Sequence, residues 1–209
     1  IAIIGQNGSG KTTILNLLLR FYEPDQGAIL VDGIDIRKIQ LKDLRDLFAV
    51  VSQDPYLFLG GIEENINLSK KFNQQQISLA MKASGVSEFM RRMSDEDKKQ
   101  IGQNGARLSG GEKQKIACGS AAAVEPDVFV LDEPSSNLDA YSIADFRKLL
   151  KILKSQGKTI IIAEHRLYYL YDLADRIIYL SDGEIQGDYT LPEFQLIPAA
   201  EKAKMGLRP

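Results

Sequence analysis

Three short apolar runs, Ile1 to Ile4, Val128 to Leu131 and Thr159 to Ala163, limit the folds open to this chain more than any other feature. Each reads as a strand buried on both faces, the pattern of a parallel sheet covered by helices. Each ends abruptly in a Gly or polar residue: Gly5, Asp132 and Glu164. In open α/β sheets, ligands bind just beyond those carboxyl ends. A weaker strand is expected at Phe48 to Val51, ending at Ser52-Gln53. Further strands are expected at Ala28 to Val31 and Ile177 to Leu180, closed by turns at Asp32-Gly33 and Asp182-Gly183.

The first strand runs straight into Gly5-Gln6-Asn7-Gly8-Ser9-Gly10-Lys11-Thr12-Thr13, and a helical run from Thr13 to Phe21 follows. Glycines, Lys and Thr in this register between strand and helix make a phosphate-binding loop rather than an ordinary glycine-rich turn. The glycines let backbone N–H groups converge on phosphates, and the helix N-terminus adds a favourable dipole. Lys11 is expected to neutralise the β- and γ-phosphates, and Thr12 to offer its hydroxyl to Mg²⁺. At the end of the second run, Asp132 is expected to hold the same Mg²⁺ through water. Glu133 is placed to orient and deprotonate an attacking water as general base. Alone, Asp132-Glu133 would be an exposed acidic turn as readily as a catalytic one; the phosphate loop decides for chemistry.

Between Gln53 and Pro126 the texture turns helical, at Ile62 to Leu68, Asn73 to Ser84, Val86 to Arg92 and Gly111 to Ala123. Ala140 to Lys154 is a further helix, with Phe146, Leu149, Leu150 and Leu153 on one side. The expected fold class is α/β: a P-loop NTPase with a mainly parallel sheet flanked by helices and an inserted helical subdomain. One domain over 1–190 is expected, with a core at 1–53 and 126–190 and a helical part at 54–125. The tail 191–209, polar and Pro-punctuated, is expected to be peripheral.

Leu108-Ser109-Gly110-Gly111-Glu112-Lys113-Gln114 resembles the signature of ATP-binding cassette (ABC) ATPases. The order of the other motifs is similar to that family over nearly the whole chain. The resemblance implies that the nucleotide is ATP, bound through Gly5, Gln6, Asn7, Gly8, Ser9, Gly10, Lys11, Thr12 and Thr13 with Mg²⁺. It implies that Gln53 is the Q-loop glutamine, sensing Mg²⁺ and the γ-phosphate. Ser136-Asn137-Leu138-Asp139 would be the D-loop at a dimer interface, and His165, the single histidine, the switch residue beside the γ-phosphate. It further implies that Leu108, Ser109, Gly110, Gly111 and Glu112 complete the ATP site of a second ABC ATPase domain. Small residues and free N–H groups before a helix suit that anion.

The same resemblance implies a transmembrane transporter partner and a place on the cytoplasmic face of a membrane. Tyr56-Leu57-Phe58 would line a groove for that partner, or pack on its own core. Subfamily likeness is split. Phe21 to Pro24, Leu41 to Leu44, Val51-Ser52-Gln53-Asp54-Pro55 through Asn65-Ile66, and Ile101 to Gly105 resemble exporters. From Glu112 on, Asp132 to Asp139, Ala163 to Leu167, Leu173 to Arg176 and Met205 to Arg208 look like energy-coupling-factor ATPases for cobalt or vitamin uptake. The alternative is a soluble ABC ATPase of DNA repair or translation type. Repair members insert coiled coils or zinc sites before the signature, which this compact interval with one Cys does not accommodate.

Bulk composition agrees with these expectations. With 26 Lys+Arg against 28 Asp+Glu there is no basic field, so no nucleic-acid partner is expected. Cys118 stands alone, so no intrachain disulfide can form. No apolar run approaches the ~20 residues that span a bilayer. Ile1 already lies within a strand, so an N-terminal truncation is expected; the ABC resemblance implies an adenine-stacking aromatic upstream of it and an incomplete small antiparallel subdomain.

Overall fold

The computed structural model describes residues 1–68 and 71–207. Strand β1 (Ala2–Ile4) enters the phosphate loop and then helix α1 (Lys11–Leu18). A hairpin of β2 (Leu30–Val31) and β3 (Ile34–Asp35) precedes α2 (Leu41–Asp46) and β4 (Phe48–Val51). The helical stretch follows: α3 (Ile62–Ile66), α4 (Gln74–Ala83), α5 (Val86–Met90), α6 (Asp95–Lys99) and α7 (Gly110–Ala123). The chain then returns through β5 (Val128–Asp132), α8 (Ala140–Ser155), β6 (Thr159–Ala163), β7 (Arg176–Ser181) and β8 (Glu184–Thr190). Helices α9 (Leu191–Leu196) and α10 (Ala199–Lys204) close it.

The main sheet has the order β4-β5-β6-β1-β7-β8. All its pairings are parallel except β7 with β8. Pairing of Ile3 with Ala163, and of Asp132 with Ala163, brings the carboxyl ends of β1, β5 and β6 to one edge. Strand residues alternate between two cores, as a period of two requires. Ala2, Ile4, Phe129 and Leu131 join Phe146, Leu149, Leu150 and Leu153 of α8. Ile3 and Val130 face Leu15 of α1 and Leu44 of α2 on the other side. Each such fully buried large side chain stabilises the fold by roughly 1.5–3 kcal/mol.

The helical stretch has its own core, with Ile62, Ile66, Ile77, Met81, Val86, Phe89 and Ile116 at its centre. Helix α7 joins it to the sheet: Ile116 belongs to the helical core, while Cys118 and Ala121 belong to the core under α8. Burial pushes the Cys118 thiol up to about 12, so it packs as a small apolar group. Side-chain caps set the helix starts. Asn73 accepts from Gln76 N at 2.9 Å while Gln76 reaches back at 3.0 Å, and Asp139 accepts from Ser142 N at 2.7 Å.

Three outcomes differ from the sequence expectations. The two Asp-Gly turns are two-residue hairpin loops with positive φ at both positions, so each carries a second strand, β3 and β8. β3 is too short to show a period, and β8 is an edge strand facing mostly solvent. The tail is attached rather than peripheral. Thr190 and Glu193 form a capping box, Phe194 is fully buried in the main core, and Gln6 Nε2 donates to Lys204 O at 3.2 Å. One aromatic in a polar stretch leaves little apolar periodicity to detect. Arg208, part of the uptake-type likeness, lies outside the described residues. Among the described residues, no helix is long and apolar enough to cross a membrane.

Candidate nucleotide site and signature segment

The phosphate loop is shaped by its neighbours. A Cβ on Gly5 would lie 2.2 Å from the Leu180 carbonyl oxygen of β7, so only glycine lets β1 leave the sheet at that point. Gly10, at φ 101°, occupies the left-handed region and turns the chain into α1. Gln6 and Asn7 are exposed, Ser9 and Lys11 are buried, and Thr12 and Thr13 sit on the exposed first turn of α1. Lys11 Nζ donates to the carbonyls of Gly5 at 2.9 Å and Gln6 at 3.0 Å. The loop therefore closes around its own cation.

Side chains from the other strand ends meet this loop. Thr12 Oγ1 donates to Asp132 Oδ2 at 2.8 Å, while Asp132 Oδ1 is buried with no hydrogen-bond partner among the described residues. Glu133 Oε1 lies 3.9 Å from Lys11 Nζ and 3.3 Å from His165 Nδ1. The His165 contact is close but not aligned as a hydrogen bond. Glu133 has φ 44°, a left-handed backbone that costs a non-glycine residue on the order of 1–3 kcal/mol. The strained backbone is held by its N–H donating to Ala163 O at 2.9 Å. Such strain persists only where surrounding structure over-determines it, and it clusters at functional sites.

Gln53 and the proposed D-loop form a second layer. Asn137 Nδ2 donates to Gln53 O at 3.3 Å, and a Cβ on Gly110 would lie 3.0 Å from Asn137 Cβ. Asn137 thus joins the Gln53 segment to the start of α7. Leu138 is buried in the main core, the Ser136 hydroxyl is buried without a partner, and Asp139 caps α8. Hydrogen bonding to Ser142 N, first of its causes, holds the Asp139 carboxyl below its usual range.

The signature segment stands apart from the loop. Ser109 caps α7, accepting from Glu112 N at 3.3 Å, while Glu112 Oε2 accepts from Ser109 N and Oγ, each at 2.8 Å. Leu108 is buried in the helical core. Among the described residues, no hydrogen bond or ion pair joins 108–112 to Lys11, Asp132, Glu133 or His165. Local reasoning gave no individual role to four neighbours of the site: Gln114, whose Nε2 donates to Ser52 O at 3.4 Å, and the buried set Ser135, Glu164 and Tyr169. A signal was present for Glu164, a carboxylate at the end of an otherwise apolar strand.

Parallel-sheet topology with this loop at its carboxyl edge defines a P-loop nucleotide-binding class of protein. A family model described as ABC transporter matches residues 1–136. The chain belongs to the ABC transporter family. It is 40% identical over 186 residues to Multidrug resistance protein homolog 65 of Drosophila melanogaster, covering 88% of this chain and 14% of that protein. It is 38% identical over 187 residues to an ATP-dependent lipid A-core flippase of Vibrio vulnificus (strain CMCP6), covering 88% of this chain and 32% of that protein. A solved bacterial Atm1-family ABC exporter with ATP bound is similar with TM-score 0.89 and 31% identity, covering 97% of this chain and 36% of that one. The chain therefore spans no more than about a third of the length of these relatives.

Proposed function

We propose that this chain is the ATP-binding and ATP-hydrolysing domain of an ABC transporter, coupling ATP-driven pairing of two such domains to transport across a membrane. The observation that carries this is the meeting of Lys11, Glu133 and His165, with Glu133 Oε1 3.9 Å from Lys11 Nζ and 3.3 Å from His165 Nδ1. Names of similar proteins, a multidrug resistance protein, a flippase and an exporter, favour a transporter over a soluble repair or translation ATPase. They also favour export over uptake. We assign 1–53 and 126–190 to the nucleotide-binding core and 54–125 to the helical part, in one domain.

In this reading, residues 5–13 wrap the phosphates of ATP, and Lys11 moves from the loop carbonyls to the β- and γ-phosphates. Thr12 and Asp132 would hold Mg²⁺, with Gln53 nearby. Their hard oxygen donors, and the unpartnered Asp132 Oδ1, suit an ion that takes few carboxylates and keeps water and phosphate oxygens. Bound there, Mg²⁺ supplies charge neutralisation to the terminal phosphates. Glu133 orients the attacking water and accepts its proton, and His165 faces the same water and the γ-phosphate. Ser109, Gly110 and Gly111 contact the γ-phosphate held by a partner domain across a two-fold pair, with residues 136–139 lining the seam. The transmembrane partner places the domain at the cytoplasmic face of the membrane.

The test is steady-state ATP hydrolysis together with ATP binding in wild type and Glu133→Gln. Loss of the general base should lower kcat by about a hundredfold or more while ATP still binds and the ATP-bound pair accumulates. Near-normal turnover in that variant refutes the assignment.

A further inference from the structure

Among the described residues, Nδ1 of His165 has no hydrogen-bond partner and lies 3.3 Å from Glu133 without alignment. Its position is therefore set by the backbone of the loop that follows β6. Around His165 that loop turns inward, with Glu164 fully buried and Tyr169 only 3% exposed, while Tyr168 faces solvent. Its backbone N–H groups consequently need partners inside the protein.

Glu164 supplies them. Its Oε1 accepts from His165 N at 2.9 Å and Arg166 N at 3.1 Å, and its Oε2 accepts from the Tyr169 hydroxyl at 2.7 Å. The two oxygens close a loop across 164–169. Both ends are anchored. The Glu164 N–H donates to Ile3 O at 3.0 Å, one rung before the phosphate loop, and the Tyr169 ring packs edge-on against Phe146 of α8, centroids 6.1 Å apart. Burial, and then the Glu164 charge, push the Tyr169 phenol well above its usual range, so it remains a donor. Arg166, between the anchors, donates to Ser135 O at 3.1 Å, just beyond Glu133. A fully buried carboxylate is costly unless its oxygens are filled, and here every bond it accepts comes from the segment carrying His165.

We propose that Glu164, latched by Tyr169, is a positioning residue that holds the His165 backbone so that the imidazole faces Glu133 and the reacting γ-phosphate. This rests on the assignment of His165 and Glu133 made above. The geometry distinguishes a clamp from a filler: an apolar residue at 164 would leave two adjacent N–H groups unpaired, one of them that of His165 itself. A glutamine would keep both, since its Oε1 accepts the same pair while its amide donates to the Tyr169 oxygen.

The experiment compares Glu164→Ala, Glu164→Gln and Tyr169→Phe in the full 209-residue chain. It measures kcat and KM for ATP hydrolysis and the proton NMR lines of the His165 imidazole, unambiguous because the chain has one histidine. Glu164→Ala should lower kcat on the order of tenfold to a hundredfold by misplacing His165, with KM changed less than about twofold. Its His165 lines should shift and broaden. Glu164→Gln should recover most of the rate and the wild-type spectrum, and Tyr169→Phe should fall between. A folded Glu164→Ala with wild-type kcat and unchanged His165 lines overturns the clamp. So does a rate loss that appears only as raised KM, or a folded Glu164→Gln that recovers nothing. If Glu164→Ala does not fold, Tyr169→Phe, lacking one hydroxyl, carries the test, and an unmoved His165 spectrum there is equally fatal. His165→Ala separates the two claims: unaltered turnover in it removes the catalytic role of His165, while the spectrum in the clamp variants still judges Glu164.

Discussion

The phosphate cradle draws its side chains from positions as distant in sequence as Lys11, Glu133 and His165, whereas the signature segment is built from the adjacent residues Leu108 to Glu112. Parallel register brings the strand ends that carry the first set together, through the pairing of Ala163 with both Ile3 and Asp132. A local capping box holds the second, and its donors turn to Glu112 rather than to anything across the chain. One region is complete only when the whole sheet is folded. The other closes its capping bonds within four residues, and is seated by Leu108 in the helical core and by Asn137 against Gly110. In the proposed pair of domains, this division lets each chain close around its own phosphates while offering a preformed helix end to its partner.

The sharpest way to break this contrast is Lys11→Met, which removes the cation from the cradle. Turnover should fall at least about a hundredfold, because charge stabilisation at the phosphates is lost, and ATP affinity should fall with it. Ser109→Arg should separate the regions: ATP binding to the single chain is retained, yet turnover falls by about tenfold or more, since the residue acts only across the pair. Isothermal titration against hydrolysis rates distinguishes the two patterns. If Ser109→Arg weakens single-chain ATP binding as much as Lys11→Met, the two regions are not separate. Asn137→Ala probes the seam between them. Losing its hydrogen bond to Gln53 O should cost about 1 kcal/mol of stability by denaturant titration, with a correspondingly small loss of rate.

The smallest expected effect is a pH dependence at Asp139. Its carboxyl is held below its usual range by Ser142 N, so its contribution to the start of α8 is complete above the unfolded value near 4. That contribution should be lost as pH falls through the lower folded value. Protection of the Ser142 amide, relative to its intrinsic exchange rate at each pH, should therefore fall under acid in wild type and lose this dependence in Asp139→Asn.

What could be read directly from the residues follows the same divide. The strands β1, β5 and β6 were legible because central places in the sheet leave unbroken branched runs, and α8 because Phe146, Leu149, Leu150 and Leu153 recur at helical spacing. β8 and the tail were not: Glu184 to Thr190 is an edge strand facing mostly solvent, and Phe194 anchors its helix without a visible stripe. At the candidate site, the contiguous stretches 5–13 and 108–112 stand out in the sequence, but the contacts that shape them do not. That Glu164 would turn back onto His165, or that Asn137 would bridge Gln53 and Gly110, follows from tertiary packing. Local spacing carries no information about either.

Mixing one subunit carrying Lys11→Met with another carrying Ser109→Arg tests the central claim most directly. In a confirmed heterodimer, one composite site keeps both an intact phosphate loop and an intact signature, while the other has neither. The account predicts that ATP hydrolysis, nearly absent in each parent, returns to about half the wild-type rate if the sites turn over independently. No recovery in a confirmed heterodimer would contradict the claim that Ser109 acts on the ATP held by its partner.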